Sequence, residues 1–130
     1  MARTSASDPY LPDYWVVCLC ADWCGLCRDY RDVFASMAAR YPRARFAWLD
    51  IEDQADLLGD VEVETFPTLL AADAEGIRFL GPLTPQAQTL SRLLDSLERG
   101  SLQATAHGPA TQSLLQALQA APEHWIRAGR

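Results

Sequence analysis

Four cysteines fall between positions 18 and 27, as Cys18, Cys20, Cys24 and Cys27, in the pattern C-x-C-x-x-x-C-x-x-C. The last two, separated by Gly25-Leu26, are spaced to close a disulfide over a single tight turn. Where such a pair opens a helix, the first sulfur meets unpaired backbone N–H groups and the positive end of the helix dipole. That field favours thiolate over thiol, and the thiolate is the nucleophile in thiol–disulfide exchange. Cys24 is therefore expected to be the nucleophile and Cys27, one turn deeper, the thiol that resolves a mixed disulfide. The same spacing is also half of a zinc site. Cys18 and Cys20 alternate along one strand and face the same side. They read as accessory or structural thiols: small buried hydrophobes, a second disulfide station, or partners of the other two in a four-cysteine zinc site. The first of these is preferred, because a regular strand makes tetrahedral convergence awkward, and no metal is assigned.

The elements around the pair suit that chemistry. Trp15-Val16-Val17-Cys18-Leu19-Cys20 is a continuous apolar run, the pattern of a central strand buried on both faces. Asp22-Trp23-Cys24-Gly25 opens a helix whose apolar stripe is Tyr30, Val33, Phe34, Met37, Ala38 and Tyr41, ended by Pro42. Arg45 to Leu49 reads as a second strand, and Asp50 to Leu58 as an acidic helical segment. Thr65-Phe66-Pro67-Thr68 leads into a strand through Ala72, and Asp73-Ala74-Glu75-Gly76 turns the chain into a hairpin partner over Ile77 to Leu80. Thr84 and Pro85 read as the cap and first residue of a further helix that Gly100 ends, with Ala87, Leu90, Leu93, Leu94 and Leu97 as its buried stripe. Residues 111–121 form a last helix with Leu114, Leu115 and Leu118 on one edge. The organisation is an arm over residues 1–13, a domain over 14–100, and a linker with a C-terminal helix over 101–130. Its order predicts an α/β fold with a four-stranded mixed sheet and helices on both faces.

Two stretches resemble the thioredoxin family. Ala21-Asp22-Trp23-Cys24-Gly25-Leu26-Cys27-Arg28 is similar to that family's active-site motif, and Thr65-Phe66-Pro67-Thr68 to its cis-proline loop. The resemblance covers about residues 14–100. It implies a thioredoxin-like fold and reversible dithiol–disulfide exchange between Cys24-Cys27 and protein disulfides. It also implies a substrate surface of Trp23, Gly25, Leu26, Phe66 and Pro67, with the Phe66 backbone pairing to the substrate chain. No cofactor is called for, and an electron-donating reductase is the implied partner besides the substrate. Three departures stand out. Cys18 occupies the strand position where the family usually carries a buried carboxylate, and Trp48 replaces the lysine commonly paired with it. Leu26 replaces the usual proline between the cysteines. The N-terminus is shortened, so the family's opening strand and helix do not both fit, and the extra C-terminal helix is expected to cover the face they leave open.

Composition narrows the function class. The net charge of −6 argues against nucleic acid, which selects basic faces, and disfavours an anionic membrane surface. All the basic residues are arginine. Residues 1–9 lack a signal-peptide pattern and no run is long enough to span a bilayer, so a cytoplasmic location is expected. Asp50, Glu52, Asp53, Asp56, Asp60, Glu62 and Glu64 gather carboxylates with no base among them and read as a solvated helix face. His107 and His124 have no matching ligands. The function expected is a thiol–disulfide oxidoreductase acting as a protein-disulfide reductase. The alternatives are a binding or redox-sensing module whose thiols are regulatory, and a four-cysteine zinc protein.

Overall fold

The computed structural model describes residues 14–21, 23–59, 61, 63–73, 75–100, 102–103, 109–120 and 125–126. His107, His124, Asp22, Asp60, Glu62 and the N-terminal arm lie outside the described residues. The elements run β1 (Tyr14–Cys20), α1 (Gly25–Arg40), β2 (Ala44–Asp50), α2 (Ala55–Leu58), β3 (Thr68–Asp73), β4 (Gly76–Pro82), α3 (Ala87–Glu98), α4 (Pro109–Gln119) and β5 (Trp125–Ile126).

The sheet order is β4-β3-β1-β2-β5. β1 lies parallel to β2, with Cys18 beside Trp48 and Cys20 beside Asp50, and antiparallel to β3, with Cys18 opposite Leu69. Four strands match the expected mixed sheet. The fifth, only two residues long, is an addition: it pairs antiparallel with Phe46 and Ala47 and covers part of the β2 edge, where unpaired backbone groups invite another chain.

Alternation along β1 divides the core in two. Tyr14, Val16, Cys18 and Cys20 face α1 and α3, packing with Tyr30, Phe34, Met37, Leu90 and Leu94. Val17 and Leu19 face the other way, with Ala47, Leu49, Leu70 and Ile77, and are covered by Leu58 of α2 and by Leu114, Leu115 and Leu118 of α4. The C-terminal helix thus docks on the sheet face that would otherwise be bare.

Three details differ from the sequence expectation. The acidic segment is helical only from Ala55, because the Asp50 carboxylate accepts the N–H groups of Glu52 and Asp53 at 2.8 and 2.9 Å. The Gln54 side chain meanwhile accepts the Asp50 N–H, so residues 51–54 turn instead of coiling. Helix α3 begins at Ala87 rather than beside Thr84; the Thr84 hydroxyl shares a hydrogen bond with that of Thr89 at 2.7 Å, and Gln86 is the extended residue before the helix. Consequently Ala87 is exposed, and Leu90 and Leu94 carry the buried stripe. At the other end Gly100 sits at φ +76 and donates its N–H to the Leu97 carbonyl, the left-handed stop expected there.

Leu118 is fully buried between α4 and the sheet. Leu118→Ala is expected to cost about 2–5 kcal/mol in urea-melt stability. Gln116→Ala, on the exposed side of the same helix, should stay within about 0.5 kcal/mol.

Candidate redox site

Strand β1 ends at Cys20 and the chain turns through Ala21 to Cys24, the residue before α1. The Cys24 N–H donates to the Ala21 carbonyl at 3.0 Å and its own carbonyl accepts the Arg28 N–H at 3.1 Å. Its side chain makes no cap hydrogen bond, so the sulfur is not engaged in starting the helix. Cys24 is partly exposed, whereas Cys18, Cys20 and Cys27 are buried. Trp23 and Leu26 flank it at 60 % and 53 % exposure, and they are the large apolar side chains most open to solvent among the described residues.

Trp23 is held from two sides. Its ring meets Phe66 edge-on at 5.5 Å between centroids, and its indole N–H donates to a Glu52 carboxylate oxygen at 3.0 Å. The Phe66–Pro67 peptide is cis. The Pro67 carbonyl accepts the Leu83 N–H, and the Thr68 hydroxyl donates to the Thr65 carbonyl, which ties the loop to the start of β3. The structure therefore brings Trp23, Leu26, Phe66 and Cys24 to one end of the sheet, with Gly25 exposed in the first turn of α1.

The sulfur pairing corrects the expectation. Cys27 is bonded to Cys20, not to Cys24, with an S–S distance of 2.03 Å and Cα atoms 5.8 Å apart. The reason lies in direction. Cys20 is the last residue of β1 on the face that α1 covers, and Cys27 lies on the buried side of the first turn of α1. Cys24 stands at the rim of that turn. Cys20 is accordingly a bonded partner rather than a small space-filling thiol. A disulfide sulfur is not a thiolate ligand, so the four-cysteine zinc arrangement is not formed here. The Ala21 N–H reaches the Cys27 sulfur at 3.4 Å.

Cys18 remains a free thiol, sealed against Trp48, Leu69 and Tyr30 on the α1 face. Burial alone pushes its pKa far above the ordinary thiol value. The neighbouring Tyr30 hydroxyl is also pushed up, first by burial and then by repulsion from a charge on Cys18. Arg31 places its guanidinium 5.4 Å from the Trp48 ring centre, a cation–π contact. Glu52 was missed as a site residue because its neighbours made it look like plain surface charge. An exposed indole in need of an acceptor was the available signal.

The thioredoxin family model matches residues 10–93. A thioredoxin from Ophiophagus hannah is 36% identical over 53 residues, covering 41% of this chain and 50% of that protein. A putative thioredoxin H10 from Arabidopsis thaliana is 36% identical over 55 residues, covering 42% and 36%. The chain thus spans about half or less of the length of these curated relatives. Among solved structures, mitochondrial thioredoxin 3 from Saccharomyces cerevisiae in its oxidised form superposes with a TM-score of 0.58 at 20% identity, over 68% of this chain and 82% of that one. At that identity the likeness speaks for the fold.

The burial of Cys18 has a measurable consequence. Its thiol pKa is raised on folding, so the stabilisation is complete below the unfolded value of about 9 and is lost as pH climbs beyond it. Above that point the unfolded chain releases a proton that the folded core retains. Chemical melts of the wild type between pH 8 and 10, chosen to bracket that value, should show stability falling from about pH 9. In Cys18→Ala the decline should start nearer pH 10, where the buried Tyr14 and Tyr30 hydroxyls, also raised, take over.

Proposed function

The chain belongs to the thioredoxin family, and from that premise we propose that it is a thiol–disulfide oxidoreductase that reduces protein disulfides through Cys24 and Cys27. The observation that carries this reading is the position of Cys24. It is the partly exposed free thiol, placed at the start of α1 between the open apolar side chains of Trp23 and Leu26.

In the reduced protein the Cys24 thiolate attacks one sulfur of a substrate disulfide. The other substrate sulfur leaves with the electron pair and takes a proton, giving a mixed disulfide on Cys24. The Cys27 thiolate then attacks the Cys24 sulfur, releasing the second substrate thiol and leaving a Cys24–Cys27 disulfide. Two electrons have passed to the substrate, and an external dithiol or reductase restores the pair. The Ala21 N–H aimed at the Cys27 sulfur supports its thiolate in this step. Trp23, Leu26 and the half-buried Phe66 offer an apolar ledge for the substrate chain, and the Phe66 backbone is the pairing strand edge that family membership suggests. A reducing compartment such as the cytoplasm suits this direction of electron flow. None of the described helices is long and apolar enough to cross a membrane.

One observation favours the second reading, a redox-sensing module: the bond between Cys20 and Cys27 engages the resolving sulfur in the interior. Turnover separates the two. With dithiothreitol as donor, the wild type should accelerate insulin disulfide reduction and Cys24→Ser should fall to the uncatalysed rate. Trp23→Ala should lower kcat/KM about tenfold, equivalent to about 1.4 kcal/mol. A wild type that forms its disulfide but gives no acceleration makes the chain a sensor.

A further inference from the structure

The Cys20–Cys27 disulfide is sealed. Both residues are essentially unexposed, Cys20 at the end of the central strand and Cys27 beneath the first turn of α1. No protein thiol or reductase can bring a sulfur in line with that bond while the domain stays folded. Cys24 packs against the cluster that contains both of them and is itself partly open to solvent. Cys18 lies on the same strand face but stays protonated in the core. Electrons that enter or leave the buried bond therefore have one route, through Cys24.

We propose that Cys20 is a third redox-active cysteine, and that Cys27 alternates between Cys24 and Cys20 so that a buried disulfide stores the oxidised state. The proposal rests on the oxidoreductase reading above and adds a step to it. After the Cys24–Cys27 disulfide forms, the Cys20 thiolate attacks the Cys27 sulfur. The Cys20–Cys27 bond forms, the Cys24–Cys27 bond breaks, and Cys24 leaves with the electron pair and accepts the proton that Cys20 gave up. The exchange is an isomerisation with no net oxidation. Reduction runs in reverse: the Cys24 thiolate attacks Cys27, Cys20 departs as thiol, and an external dithiol then opens Cys24–Cys27.

The relay changes what the rim thiol does. While Cys27 is held by Cys20, Cys24 is free yet lacks its resolving partner. It then forms mixed disulfides that only an outside thiol can clear, so the oxidised protein is a monothiol exchanger and the reduced protein a dithiol one. Separation by burial maintains the two states, because solvent reaches Cys24 and not the bond beneath it.

The test is disulfide mapping of the full chain. The reduced protein is oxidised with an equimolar amount of diamide, quenched, alkylated with iodoacetamide and digested. The expected result is a Cys20–Cys27 linkage together with alkylated Cys24 as the major species. In a second measurement, the Cys24→Ser variant and the wild type are oxidised in guanidinium and refolded, and reduced glutathione should then open the variant at least about tenfold more slowly than the wild type under native conditions, the two becoming equal in guanidinium. Finding Cys24–Cys27 as the sole disulfide, or equal native rates in the two proteins, overturns the relay. Either outcome leaves the reductase reading in place, since that reading fails only if insulin reduction does not depend on Cys24.

Discussion

Strand β1 has a neighbour on every side. β2 runs parallel along one edge and β3 antiparallel along the other, α1 and α3 cover one face, and α2 and α4 cover the opposite one. Because both faces are sealed, the alternation of its side chains fixes where each cysteine points. Cys18 and Cys20 must face α1, and a shift of one residue would exchange them for Val17 and Leu19. The turn from Ala21 to Cys24 then has little freedom. It starts from a strand end anchored by paired backbone groups and finishes on a helix whose own stripe of Tyr30, Phe34 and Met37 is locked against the same strand. The three sulfurs at this end of the molecule are therefore graded by depth, from the rim to the interior.

That gradation gives the site its asymmetry. At the rim, solvent, the exposed indole of Trp23 and the Leu26 side chain surround a thiol that larger molecules can touch. Beneath it, the Cys20–Cys27 bond lies among apolar groups with one backbone N–H aimed at it. Two residues back along the same strand face, Cys18 takes the position where a buried carboxylate would otherwise stand, and desolvation keeps its proton on. A thiol there cannot act as a base near neutral pH. Under the proposed reductase function, proton movement at Cys27 would be served by water or by groups nearer the surface. The acidic loop after β2 approaches this end through Glu52, which holds the Trp23 indole.

Much of this was legible in the residues. The apolar run of β1, the stripe of α1 and the leucines of α4 carry strong periodic signals, because burial on two faces or one stripe leaves little choice of residue. Cys24 at the opening of α1 was readable from the cysteine spacing together with the apolar run before it and the helical stripe after it. What was not legible depended on contacts distant in sequence or on side chains that compete locally with the backbone. Asp50 capturing the Glu52 and Asp53 N–H groups shortened a helix that composition favoured. Thr84 bonding to Thr89 gave up the capping role its residue type suggested. The pairing of Cys27 with Cys20 is of the same kind: spacing offers two partners to one sulfur, and the depth that selects between them is a property of the packed domain.

The arrangement of α4 also imposes an order on synthesis. The chain emerges from β1 to α4, so every sulfur and the strands that position them are made before Leu114, Leu115 and Leu118 exist. During that interval the sheet face carrying Val17, Leu19, Ala47, Leu49 and Leu70 is shielded, among the described residues, by Leu58 of the four-residue α2 and by Ile51, Val61 and Val63 beside it. A nascent chain at this stage presents a cysteine-bearing, half-clad sheet to whatever surrounds the ribosome. Docking of α4 therefore withdraws from solvent apolar sheet surface that the elements made before it leave open.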